Sequence, residues 1–195
     1  MHPHFGSLES YQEIYKKSVE SPEIFWWDVA KDYSWNSLWK EVYTPTTQEW
    51  YQGGKTNMSY NCLDRHDPDS IAIHWEPNDP ETQGKTITYW ELLEKVSKCA
   101  NGLKALGVQK GDRVLLYMPM IPEAIISMLA CTRIGAIHVV VFAGFSAQAL
   151  RERIENTEAK IIITAENSFR GEKIIPLRET VELATKNLWC VEHII

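Results

Sequence analysis

Residues 113–164 read RVLLYMPMIPEAIISMLACTRIGAIHVVVFAGFSAQALRERIENTEAKIIIT, so that apolar runs of strand length alternate with helical segments. The strand-like runs are Arg113–Met118, Ala136–Phe142 and Lys160–Thr164. Strands that are joined through helices form a parallel sheet with right-handed crossovers, which predicts the α/β class. The valines at 139–141 indicate a strand that is buried on both faces, with His138 as a hydrogen-bonded core histidine rather than a ligand or base.

The same alternation continues on both sides of this stretch. Ile71–Trp75 and Thr86–Thr88 predict a hairpin. Thr88 with Glu91 has the pattern of a capping box at the start of a helix, and Gly107 is expected to end that helix. Downstream we expect a loop at Phe169–Gly171, a helix at Arg178–Lys186 and a further strand at Cys190–Ile195. No closing helix follows that last strand. The chain is therefore expected to hold a partial parallel sheet with flanking helices and to be the first part of a longer protein.

The composition changes near residue 60. The earlier part is rich in aromatic residues and poor in aliphatic runs; its rings include Phe25, Trp26, Trp27, Tyr33, Trp35, Trp39, Tyr43, Trp50 and Tyr51. We therefore expect residues 1–60 to form an aromatic-rich, mostly helical arm, and residues 61–195 to form an incomplete α/β domain. Packing of the flat rings is favoured, and stacking on a carbohydrate or another ligand is the alternative.

Composition and charge exclude several classes of protein. The chain has 195 residues, of which 44% are hydrophobic and 24% charged, which is typical of a globular protein and not of a disordered or fibrous one. Its formal net charge is −6, whereas proteins that bind nucleic-acid backbones usually present a basic face. Nucleic acid is therefore not predicted as a partner, and an anionic cofactor would need a local cluster of cations.

Cysteine usage and the absence of targeting signals indicate a cytoplasmic protein. The cysteines have no C-x-x-C spacing and are predicted to be reduced, mostly buried thiols; they are Cys62, Cys99, Cys131 and Cys190. The amino terminus lacks the apolar core of a signal peptide and the arginines of a transit peptide. The longest uncharged run, Ile134–Leu150, is interrupted by glycine and polar residues, so no membrane span is predicted.

Common catalytic and metal-binding motifs are missing from the sequence. It contains no G-x-G-x-x-G fingerprint, no P-loop and no G-x-S-x-G elbow. Of the six histidines, only His2 and His4 are spaced like metal ligands, and we expect that terminus to be mobile. No catalytic residue and no metal ligand is therefore assigned.

Two segments are candidate anion sites, each equally compatible with a purely structural role. Phe142–Ser146 connects the carboxyl end of a predicted parallel strand to a helix, where a glycine allows close approach and helix N–H groups attract anions. Arg170–Lys173 places two cations around a glycine in a loop after the next strand.

Longer motifs resemble the adenylate-forming acyl-CoA synthetases. The general ones are NCLDRH at 61–66, ITYWELL at 87–93 and GDRV at 111–114. More specific similarity to the AMP-forming acetate–CoA ligases lies in YMPMIPEA at 117–124, LACTRIGAIH at 129–138 and VFAGFS at 141–146. Phe25-Trp26 and GGKTN at 53–57 are also similar, so the resemblance covers roughly residues 8–195.

The resemblance implies a two-step reaction. Acetate and MgATP give acetyl-AMP and pyrophosphate, and the CoA thiol then gives acetyl-CoA and AMP. In this family the ATP loop, the acidic nucleotide-binding residues and the catalytic lysine lie further along the chain. The implied partners are thus acetate, ATP with Mg²⁺, CoA and the remainder of the enzyme chain, and the segment alone is expected to be inactive.

By the same resemblance, this segment contributes to the CoA site. The family's CoA-binding residues carry over to Gly144, Arg170, Gly171, Glu172 and Lys173. Arg170 and Lys173 would face the 3′-phosphoadenosine end of CoA. Some members have arginine where this chain has Lys173, and many have glycine where it has Ala143. Lysine keeps the charge but cannot form a bidentate fork.

Two alternatives remain open at this level. The first is a propionyl- or other short-chain acyl-CoA synthetase, because such relatives share most of these motifs. The second is a non-catalytic binding or regulatory module derived from such an enzyme.

Overall fold

The computed structural model describes residues 6–195. The chain divides between Asn57 and Met58 into two compact units. The helices are α1 (Leu8–Glu20), α2 (Pro22–Ala30), α3 (Met58–Cys62), α4 (Tyr89–Ala105), α5 (Pro122–Ile134), α6 (Ala147–Thr157) and α7 (Leu177–Thr185). The strands are β1 (Tyr43–Thr44), β2 (Glu49–Trp50), β3 (Ile71–Trp75), β4 (Lys85–Thr88), β5 (Arg113–Tyr117), β6 (Ile137–Val140), β7 (Ile161–Thr164), β8 (Asn167–Arg170), β9 (Lys173–Pro176) and β10 (His193–Ile194).

The first unit is held together by aromatic rings. Trp35, Trp39 and Tyr51 contact one another with ring centroids 4.8–5.3 Å apart, and Tyr43 lies 4.5 Å from Trp50 across the β1–β2 pair. This arrangement supports packing as the main role of the rings. The expectation of a mostly helical arm is wrong after α2, because turns and two short strands make up the rest of the unit.

The second unit contains the predicted parallel sheet, with the strand order β10-β7-β5-β6. Alternate side chains of β5 enter two separate cores. Val114 and Leu116 pack with α4 and α5 on one face, while Leu115 and Tyr117 pack with α6 and α7 on the other. Helices cover both faces of the parallel strands, so the α/β class is confirmed.

Local signals at the ends of α4 were predicted correctly. The Thr88 side chain accepts from the Glu91 N–H, and the Glu91 carboxylate accepts from the Thr88 N–H at 2.9 Å, which completes the capping box. At the other end, Gly107 has a φ of +84° and the Val108 N–H donates to the Leu103 carbonyl at 3.1 Å. This Schellman ending turns the chain towards β5.

The prediction that the valine-rich strand is buried on both faces is wrong. Within the part of the chain that the structure describes, β6 forms one edge of the sheet and pairs only with β5. Ile137 and Val140 are 52% and 60% exposed, and His138 is exposed rather than a core residue. A run of β-branched residues favours a strand, but its burial depends on neighbours that the local sequence does not specify.

The segment around Arg170 is a hairpin and not the predicted loop. β8 and β9 pair antiparallel directly after β7, with Arg170 opposite Lys173 and Ser168 opposite Ile175. The last predicted strand is shorter than expected, because only His193–Ile194 pair with β7.

The four cysteines are free thiols. Cys131 and Cys190 are buried, whereas Cys99 is partly exposed and Cys62 exposed, so burial is less general than predicted. Desolvation raises the pKa of the Cys131 thiol to about 12, which keeps it neutral. Within residues 6–195, no helix has the length and apolar character needed to cross a membrane.

Candidate functional site

The carboxyl edge of the parallel sheet gathers the segments that sequence analysis singled out. The loops after β5 and β6 and the β8–β9 hairpin all leave the sheet at this edge, because the three strands run in one direction. Side chains near the β3–β4 turn reach the same region. The Trp75 indole N–H donates to the Met120 carbonyl at 2.8 Å, and the Asn78 amide lies 3.4 Å from the Gly171 carbonyl. Ligands of open α/β sheets bind at such an edge.

Gly144 lies between β6 and α6, in a conformation that excludes most side chains. Its φ is +155°, and a Cβ atom would come within 3.1 Å of the Phe142 ring. The Ser146 side chain then accepts from the Ala149 N–H and caps α6. Gly144 is exposed and has no side chain, so a ligand can approach its backbone closely.

The side chain of Tyr117 contacts the Gly144 loop from the core of the domain. It is fully buried at the end of β5, and its hydroxyl donates to the Phe145 carbonyl at 2.8 Å. Burial raises the pKa of the Tyr117 phenol. The phenol therefore stays protonated and able to donate near neutral pH.

The β8–β9 hairpin presents two cations side by side. Arg170 and Lys173 are cross-strand partners, and both are exposed. Gly171 has a φ of +58° at the first position of the two-residue turn between them, and Glu172 fills the second. Among residues 6–195, neither Arg170 nor Lys173 forms an ion pair. Their charges are consequently available to an anion.

The predicted site residues thus fall into two groups at one edge. Arg170, Gly171, Glu172 and Lys173 share the hairpin turn, while Gly144 lies on the loop after β6, on the other side of β5. Gly171 also has a local reason to be glycine, since the turn requires a positive φ there.

Sequence reasoning missed two side chains beside these groups. The Arg153 guanidinium lies 4.5 Å from the centre of the Phe145 ring, which places a cation next to the Gly144 loop. Asn78 contacts the hairpin from 93 residues away in the sequence. Neither has a local signal; an arginine on a helix and an asparagine in a turn are ordinary surface residues.

Comparison with known families and structures agrees with this arrangement. The family model of the AMP-binding enzymes matches residues 63–192, and that of the acetyl-coenzyme A synthetase N-terminus matches residues 11–62. Acetyl-coenzyme A synthetase of Magnetococcus marinus is 50% identical over 184 residues, which cover 90% of this chain and 28% of that protein. Acetyl-coenzyme A synthetase 2 of Pseudomonas putida is 46% identical, with 96% of this chain and 30% of that protein covered.

A solved structure supports the same family assignment. Acetoacetyl-CoA synthetase from Streptomyces lividans superposes with a TM-score of 0.84 at 26% identity, covering 98% of this chain and 30% of that one. The chain spans about 30% of the length of these relatives. Residues 11–62 match the amino terminus of acetyl-coenzyme A synthetases, and because the first family model matches more than half of the residues, this chain belongs to the AMP-binding enzyme family.

Proposed function

We propose that this chain is the amino-terminal segment of an AMP-forming acetate–CoA ligase and that it supplies part of the CoA site. Support for the activity comes from relatives that carry the name acetyl-coenzyme A synthetase at 44–50% identity. The proposed organisation is an arm of residues 1–60 followed by the first part of an AMP-binding domain, residues 61–195.

The observation that carries the CoA assignment is the pairing of Arg170 with Lys173 across the hairpin turn. Two adjacent exposed cations in a protein of net charge −6 suit a multiply charged phosphate ligand, and CoA carries phosphates at its nucleotide end. Arg170 would fork onto phosphate oxygens, and Lys173 would act as a point charge. Gly144, at the same edge of the sheet, is exposed, so the rest of the CoA molecule can approach its backbone.

In this proposal the segment serves the second of two steps. In the first, acetate attacks the α-phosphorus of MgATP and pyrophosphate leaves, forming acetyl-AMP. In the second, the CoA thiol attacks the acyl carbon and AMP leaves with the bonding electrons. The residues of this chain bind and orient CoA for the attack, while MgATP is placed on the remainder of the enzyme chain. No group of three or more histidine, cysteine or acidic residues that could hold a metal ion occurs within residues 6–195.

Acetate is the acyl substrate that the comparisons favour. The acetyl-coenzyme A synthetases are 44–50% identical to this chain, whereas the acetoacetyl-CoA synthetase is 26% identical. We further propose that the enzyme works in the cytoplasm, which four free thiols support.

A comparison of substrates tests the proposed activity. The full-length protein that carries this segment should form a thioester from acetate, ATP, Mg²⁺ and CoA, with a higher kcat/KM for acetate than for propionate or acetoacetate. The 195-residue chain assayed alone should form none. Acetate-independent release of pyrophosphate by the full-length protein, or a preference for a longer acid, would contradict the assignment.

A further inference from the structure

Phe145 lies directly after Gly144, in the connection from β6 to α6, and side chains from two other elements contact it. Its backbone carbonyl accepts from the Tyr117 hydroxyl at 2.8 Å, and the Arg153 guanidinium lies 4.5 Å from the centre of its ring. Its N–H donates to the Phe142 carbonyl at 3.2 Å, which closes a turn around Gly144. The backbone of Phe145 is therefore held from β5, while its ring is contacted from α6.

The position of the Arg153 guanidinium follows from helix geometry. Long side chains on a helix point back towards its amino terminus, which brings this one from α6 to the loop that precedes the helix. Its Nη1 atom donates to the Ala149 carbonyl at 2.8 Å, one turn earlier. Among residues 6–195, Arg153 forms no ion pair. A helix carbonyl and the face of the Phe145 ring, rather than a carboxylate, are thus its contacts.

The Phe145 ring in turn supports the exposed surface beside Gly144. Phe142 packs edge-on against it with ring centroids 6.1 Å apart, and Phe142 is itself 65% exposed. The Phe142 ring also lies close enough to Gly144 for a Cβ atom there to come within 3.1 Å of it. A continuous series of contacts therefore leads from Arg153, through Phe145 and Phe142, to Gly144.

We propose that Arg153 is a positioning residue that holds the Gly144 loop, through the Phe145 ring, in the shape that receives CoA. This inference rests on the proposed function, because it concerns the same CoA site. Gly144 and Phe142 are exposed at the edge of the sheet, where a loop without such contacts would adopt several conformations. A ligand that binds a loop already fixed in one shape loses less conformational freedom on binding. The guanidinium acts on the loop and does not itself contact CoA.

The first variant is Arg153→Gln in the full-length protein, because glutamine keeps the helix propensity and removes the guanidinium. We expect the KM for CoA to rise about fivefold, which corresponds to about 1 kcal/mol and is the size of a partly desolvated cation–π contact. Acetate-dependent ATP–pyrophosphate exchange should stay within about twofold of the wild-type rate, because that half-reaction does not use CoA.

A double-mutant cycle with Phe145→Leu tests the route of the effect. Leucine removes the ring but keeps the backbone carbonyl that accepts from Tyr117. If Arg153 acts through the ring, its loss has no further effect once the ring is gone. The double variant should therefore have the same KM for CoA as Phe145→Leu alone. Fold-changes that multiply in the double variant would show that Arg153 acts by another route, and would overturn the positioning role.

Arg113→Gln is the matched control. Arg113 also contacts α6, but at its carboxyl end, where its Nε atom donates to the Thr157 carbonyl at 2.6 Å and its Nη2 atom pairs with Glu158 at 3.3 Å. We expect a lower melting temperature and an unchanged KM for CoA, because these contacts lie at the opposite edge of the sheet from Gly144. Arg170→Ala is measured in parallel, since it reports on the CoA site itself.

The outcomes distinguish this inference from the proposed function. A raised KM for CoA in Arg153→Gln, with unchanged exchange and no further rise in the double variant, supports the positioning role. An unchanged KM in Arg153→Gln beside a raised KM in Arg170→Ala overturns the positioning role and leaves the CoA site standing. A parallel fall of exchange and thioester formation in Arg153→Gln, or an equal rise of the KM in Arg113→Gln, shows a general loosening of the fold and also overturns it. An unchanged KM for CoA in both Arg153→Gln and Arg170→Ala overturns the CoA site and the inference with it.

Discussion

Arg133 forks onto Asp64 through two hydrogen bonds of 2.9 Å each, from its Nη1 and Nη2 atoms to the two carboxylate oxygens. The pair joins the last turn of α5 to the residues just after α3, 69 positions earlier in the chain. Hydrogen bonding to Asp64 raises the pKa of Arg133. The side chains are only 29% and 19% exposed, so water screens this pair less than it screens a surface ion pair.

The first prediction concerns this pair. Asp64→Ala should lower the free energy of unfolding by about 2 kcal/mol, because it leaves a partly buried guanidinium without its carboxylate. The measurement is urea denaturation of the chain. Lys98→Ala, which removes a fully surface pair with Glu94, is the control and should change stability little. Equal losses of unfolding free energy in the two variants would show that the Arg133–Asp64 pair stabilises the fold no more than a surface ion pair does.

The second prediction concerns Gly144. Gly144→Ala places a methyl group 3.1 Å from the Phe142 ring in a backbone conformation that favours glycine, so the loop must shift. We expect a KM for CoA raised several-fold with little loss of exchange activity. Gly102→Ala is the matched control, because Gly102 lies in α4 with open space around its Cβ position. That control should gain about 0.5–1 kcal/mol of stability and keep the wild-type KM. A Gly144→Ala enzyme with wild-type CoA kinetics would remove Gly144 from the site.

The third prediction concerns acid stability. Asp112 accepts the Gln109 N–H at 2.9 Å and pairs with Lys160 at 3.1 Å, and these contacts lower its pKa, the backbone hydrogen bond most. A carboxylate with a lowered pKa stabilises the fold above its unfolded pKa, about 3.9, and this contribution disappears as the pH falls through the folded value. Asp112→Asn should therefore weaken the dependence of stability on pH below about pH 4. The measurement is the urea midpoint of the wild-type protein and of Asp112→Asn between about pH 2 and 6. The same dependence of the midpoint on pH in both proteins would refute the role of Asp112.

Sequence patterns predicted the features that depend on near neighbours. The apolar run that predicts β5 is continuous in the sequence, and the Thr88 capping box and the Gly107 helix ending each involve residues only a few positions apart. Such local rules hold because the interacting groups come into contact whenever the helix or strand forms.

Features that depend on distant partners were not predicted. The burial of β6 depends on which strands and helices lie beside it, and the exposure of His138 follows from its edge position. The β8–β9 hairpin was missed because its outward-facing Phe169 and Ile174 break the usual polar pattern of an exposed ribbon. The hydrogen bond from Tyr117 to Phe145 joins the end of β5 to the connection after β6, and no spacing in the sequence reveals it.

The central claim is that this segment serves the CoA half-reaction through Arg170 and Lys173. The most direct measurement compares the KM for CoA with the rate of acetate-dependent ATP–pyrophosphate exchange in the full-length Arg170→Ala and Lys173→Ala enzymes. Lys95→Ala, which removes an exposed cation on α4, is the control and should change neither quantity.

A cation that faces a phosphate contributes about 1–3 kcal/mol, so each substitution should raise the KM for CoA roughly 5- to 150-fold while exchange stays near the wild-type rate. Arg170→Ala should have the larger effect, because only arginine can form two parallel hydrogen bonds to phosphate oxygens. A loss of exchange in parallel with the loss of thioester formation, or an unchanged KM for CoA in Arg170→Ala, would contradict the account.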